Sequence, residues 1–223
     1  LVLVEPASSL SGFALGAFAL FAVARLSKTE SADPHWRWFF AWIGIAGIWG
    51  GIHHGFIVGH ETASAISWSA ISLLVAVAIS YVLAASVNSV LGKGHGQPLL
   101  TVRAISLVAF FALVLSGNAT ITTLLLTEGL AMGIVVALWV RARQENQPGS
   151  GLVLAAIFLS MLAASVKVAS TQFTLGGWEF DPNSIYHLAQ IPGMCLLLFA
   201  ILRRADTFDQ RLLVTDNSVA VPA

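Results

Sequence analysis

Seven apolar runs, each close to the length a helix needs to cross a bilayer, leave this chain few folds to choose from. They fall at 10–26, 38–59, 62–86, 101–117, 119–140, 152–174 and 183–202. The fourth, at about 17 residues, is at the lower limit for a span. A backbone in hydrocarbon must satisfy its own hydrogen bonds, and no alternating segments point to a barrel, so the spans are expected to be helical. Only 10% of the residues are charged, against about 25% in a soluble domain, and the mean hydropathy is +0.83. The expected fold is all-α: a polytopic membrane protein, one seven-transmembrane-helix bundle over 1–204, with a cytoplasmic tail at 205–223.

Lysine and arginine set the expected orientation. Arg25, Lys28, Arg37, Lys93, Arg103, Arg141, Arg143, Arg203, Arg204 and Arg211 all fall on one side of such a bundle, while Glu5, Glu61, Glu179 and Asp181 mark the other. The basic side reads as cytoplasmic, which places the amino terminus outside and the carboxyl terminus inside. The location implied is a bacterial inner (plasma) membrane. No basic segment precedes the first run, so no cleavable signal is expected. A formal net charge of zero and the lack of a basic stripe exclude a nucleic-acid partner. The lone Cys195 excludes an internal disulfide.

The second span carries the densest signal. Glycines at 47, 51, 55 and 59 share one helix face, a ladder that lets another helix approach closely. Within it stand His53 and His54, with His60 and Glu61 just beyond. Intramembrane histidines are rare and point to function. Adjacent residues on an α-helix diverge by about 100°, so only one of this pair is expected to reach a shared centre. Asp181 and Pro182 read as the cap and first residue of the seventh helix. Asn183, His187 and Gln190 then share one face, above a kink expected at Pro192 and Gly193.

Two charges lie within spans: Glu128 about 15 Å and Lys167 about 10 Å from the outer surface, counted at 1.5 Å per residue. An unpaired charge at such depth is costly, so the two are expected to share one hydrogen-bonded or ion-pair network within reach of His187. His53, His54 and His187 are the candidate metal ligands, and zinc the metal that best suits imidazoles. Glu61 or Glu128 is the candidate general base, and Lys167 a stabiliser of developing negative charge. Asn183 and Gln190 are candidate cofactor-binding residues. A different class of reading is a pigment protein, with histidines as axial ligands to haem or chlorophyll, or Lys167 carrying retinal. A third is an accessory subunit of a larger membrane complex, or a homo-oligomer, docked through the glycine ladder.

The seven-span layout, His53-His54-Gly55 and the stretch from Asn183 through His187 to Gln190 resemble the superfamily of seven-span membrane hydrolases that includes alkaline ceramidases and progestin/adipoQ receptors, in a divergent bacterial branch. That resemblance implies a zinc-dependent lipid amidase or esterase acting on a membrane lipid or lipid-like substrate. It implies ligation by an early-span histidine, His53 or His54, and by His187. The family's second last-span histidine would stand at residue 191, which is Ile191, and its early serine is replaced by Trp49 or Gly50.

Overall fold

A computed structural model describes residues 2–219. Within them the helices are α1 Pro6–Leu26, α2 Pro34–Ile52, α3 Glu61–Leu91, α4 Gln97–Leu115, α5 Ile121–Gln144, α6 Ser150–Val168 and α7 Pro182–Val219. A π turn, His53–Ile57, links α2 towards α3, and a hairpin of β1 Phe173–Leu175 and β2 Trp178–Phe180 joins α6 to α7. The fold is thus all-α apart from that hairpin.

Local chemistry explains the helix starts. Pro34 occupies the first turn of α2, where its missing N–H costs nothing, and Asp33 accepts from the His35 amide at 2.8 Å. Thr120 and Thr123 form a reciprocal capping box at the start of α5. Asp181 accepts from the Ser184 amide at 2.8 Å, the cap expected for α7.

Six helices, α1 and α3 to α7, are long and apolar enough to cross a membrane. The seven-span expectation is therefore met for six. α2 falls short because its opening Pro34-His35-Trp36-Arg37 lowers its hydropathy. One further expectation is corrected. The sixth apolar run does not continue to residue 174: α6 stops at Val168, and the hairpin turns through Gly176 and Gly177, both at positive φ (58° and 79°). That pair is what a tight two-residue hairpin turn requires. The residues after 204 begin as helix, because α7 runs to Val219. α7 carries Pro192 within it.

Helix contacts close a ring in the order α1, α2, α3, α5, α6, α7 and back to α1, with α4 outside against α3 and α5. Leu15, Phe40, Leu83, Val135, Trp139, Val153 and Leu198 fill its centre. The tightest seam is α1 on α2. A Cβ on Gly47 would lie 2.8 Å from the Gly16 nitrogen, and one on Gly12 would lie 2.9 Å from the Gly51 nitrogen. Glycine is obligatory there because backbone, not side chain, fills the space. The ladder at 47, 51 and 55 therefore packs inside the chain against α1, whereas Gly59 faces open space. The face expected to dock a partner is already occupied.

Candidate functional site

The polar centre forms where the heads of α1 and α7 meet the π turn. In that turn Val58 N–H donates to the His53 carbonyl at 2.9 Å, five residues back. The widened turn leaves carbonyls without helical donors, and an extended segment ahead of α1 supplies them. Glu5 N–H donates to the His54 carbonyl at 3.1 Å and Val4 N–H to that of Gly55 at 3.0 Å. Ser9 Oγ donates to the Gly51 carbonyl at 2.8 Å. A single inserted residue changes which way side chains point, and both His53 (3% exposed) and His54 (5%) turn inward. They turn to different partners, His53 to Ser67 and Trp68 of α3 and His54 to Glu5 and His187. π turns occur most often at functional sites.

Each imidazole is tethered through Nδ1. His53 Nδ1 lies 3.0 Å from Ser67 Oγ, which also accepts from Trp49 Nε1 at 3.1 Å. Ser67 thus ties the imidazole of His53 and the indole of Trp49 to α3. His54 Nδ1 donates to Glu5 Oε2 at 2.6 Å. His187 Nδ1 lies 3.2 Å from Ser11 Oγ, and Ser11 gives its own proton to the Ser8 carbonyl at 3.1 Å. His187 Nδ1 is therefore the donor. The network assigns His54 and His187 the same tautomer, with Nε2 unprotonated on both. The rings of His53 and His54 meet edge to face at 5.0 Å between centroids, and those of His54 and His187 at 6.0 Å.

Asp181 closes the cluster from above. It accepts from Ser8 Oγ, from the Ser184 amide, and from Asn183 Nδ2 at 3.0 Å. Burial pushes its carboxyl up, but these hydrogen bonds outweigh that and hold it below its ordinary value. Asn183 thus serves Asp181. Gln190 Nε2 donates to the Ser160 carbonyl at 3.3 Å, tying α7 to α6.

The expected Glu128–Lys167 ion pair does not form. Lys167 Nζ sits 4.9 Å from the Trp68 ring centre and 5.2 Å from that of Tyr186, between two aromatic faces that attract a cation, and the carboxylate that acts on it is Asp181. Glu128, 2% exposed, has both carboxyl oxygens buried with no hydrogen-bond partner. The neighbouring turn of α5 explains the setting: Leu124 packs on Ala76 and Phe110. Glu61 is exposed in the first turn of α3, where its charge suits the helix dipole. Neither acid joins the histidines. The acid that does, Glu5, stands just ahead of α1.

The zinc expectation is overturned, and with it the metal-dependent hydrolase. Among the described residues no group of three or more His, Cys, Asp or Glu is placed to hold a metal ion. His53, His54 and His187 approach edge to face, each turned by its Nδ1 tether to Ser67, Glu5 or Ser11, rather than aiming three nitrogens at one point. The pigment reading finds no support either.

No curated protein and no solved structure matches the chain. Nothing in these comparisons ties it to the ceramidase and progestin/adipoQ superfamily. A helical, multi-span membrane protein with this imidazole centre, the chain belongs to the family of unknown function DUF6962, which matches it over residues 7–206.

Proposed function

We propose that the protein handles protons: that it accepts a proton at the His54–His187 centre and passes it through the membrane-embedded bundle. The observation that supports this most directly is the carboxylate–imidazole pair, Glu5 Oε2 to His54 Nδ1 at 2.6 Å, beside a second imidazole of the same tautomer. A proton arriving on His54 Nε2 makes an imidazolium whose charge Glu5 neutralises. His187 is the next acceptor, and His53 stands on the other side of His54. Imidazole is the side chain whose ordinary charge change lies nearest neutrality, and chains of Asp, Glu and His inside membranes are the usual means of proton relay. Lys167, between its two rings, and Asp181 set the field around His187. In this reading α2 and the π turn, residues 34–57, act together as a seventh span. The Glu5 end faces out and the basic end faces the cytoplasm.

The test is proton flux into proteoliposomes carrying a trapped pH dye, driven by a potassium diffusion potential. Flux above that of protein-free vesicles is expected, falling by about a hundredfold in Glu5→Gln and His54→Phe. It should be unchanged in Glu61→Gln. Flux no greater than that of protein-free vesicles would contradict the proposal.

A further inference from the structure

At the opposite, basic end of the bundle, the turn between α5 and α6 walls a recess of about 430 Å³. Its wall includes Arg143 and Arg203 and no acidic residue. Nearby acids are used or stand aside. Arg141 Nε donates to Glu145 at 2.7 Å, and Gln147 donates to the same carboxylate at 2.9 Å. Asp206 is not part of the wall. Among the described residues neither Arg143 nor Arg203 is paired with a carboxylate.

The recess is built rather than incidental. Arg204 donates to the Pro148 carbonyl at 2.9 Å, to Gln147 Oε1 at 2.8 Å and to the Ser89 carbonyl, so the turn is pinned from α7. Gly149 holds φ at 74°, and a Cβ there would come within 3.1 Å of the Ala200 carbonyl. The Arg143 side chain lies across Gly151, about 3.7 Å from where its Cβ would be. One guanidinium is thus committed to structure, and two face a cavity without a counter-charge among the described residues. We infer that this recess binds a phosphate group, carried by an anionic phospholipid headgroup or by soluble phosphate. Guanidinium pairs match phosphate oxygens in geometry and charge, and basic pockets at the ends of membrane helices are where lipid headgroups are held.

The experiment uses the full chain, stripped of lipid in mild detergent and offered equal amounts of phosphatidylglycerol and phosphatidylcholine, with bound lipid read by native mass spectrometry. Phosphatidylglycerol should be retained over phosphatidylcholine by about tenfold, roughly 1.4 kcal/mol. The double variant Arg143→Gln, Arg203→Gln should lose that preference. So should Gly151→Leu, which keeps both charges and fills the recess. Melting temperature serves as the folding control, and either variant alone suffices if the other does not fold. Displacement of the lipid by millimolar inorganic phosphate assigns the site to phosphate from either source, whereas lipid retention in its presence assigns it to the headgroup. Equal retention of the two lipids, or a preference that survives in a folded variant, would overturn the inference.

Discussion

Glu128 and Lys167 show how burial alone misleads about pairing. Both were legible in the sequence as buried charges, and depth made them plausible partners. Depth does not report the direction in which a helix face points, and Trp68 and Tyr186 answer the lysine instead. A carboxylate without donor or cation is accepted at such depth in its neutral form, which glutamine imitates. Glu128→Gln should therefore leave the detergent melting temperature nearly unchanged. Lys167→Met should add to it independently, with a coupling below about 0.5 kcal/mol; a larger coupling in a double-mutant cycle would restore the ion pair. Asp181 gives a pH prediction. Its folded carboxyl lies below the ordinary value of 3.8. Its stabilisation is thus fully present above that value and is lost as pH falls through the lower, folded one. Acid melting curves of Asp181→Asn should lack that last loss, and curves identical to the wild type would count against it. Glu5 was read only as a marker of the outer side, and the serines of α1 not at all, because the first apolar run was begun at residue 10, inside the helix that Pro6 opens. The signal was there in Pro6-Ala7-Ser8-Ser9.

At the scale of elements, the glycine spacing of the second span was readable and its partner was not. The ladder meets Gly12 and Gly16 of α1, a second small-residue face hidden among larger side chains. Gly47→Ala should lower stability by about 1–3 kcal/mol or more, because the obstructing atoms are backbone and the helices must part. Gly50→Ala and Gly59→Ala, with nothing within 4 Å of the added methyl, should be neutral or slightly stabilising. Thermal melts of the three variants in one detergent distinguish the faces, and equal effects at 47 and 50 would refute the seam. The π turn could not be read from periodicity, since a single inserted residue leaves no repeat. The hairpin could have been read: Gly176-Gly177 sits between Phe173-Thr174-Leu175 and Trp178-Glu179-Phe180, a two-residue turn flanked by strand formers.

For the whole molecule, hydropathy carried the helical bundle and nearly all of its spans, because lipid permits few alternatives to a helix. It did not carry the neighbour order, which depends on the ring closing through α1 and α7, helices far apart in sequence. That closure is what brings His54 and His187 together, and it separates both from Glu128. Their proximity is the premise of proton handling. Nitrogen-15 spectra of histidine-labelled protein in bilayers test it most directly. The His54 ring should carry its proton on Nδ1, towards Glu5, and His187→Gln should move both of its nitrogen resonances. A His54 ring indifferent to His187→Gln would contradict a shared centre.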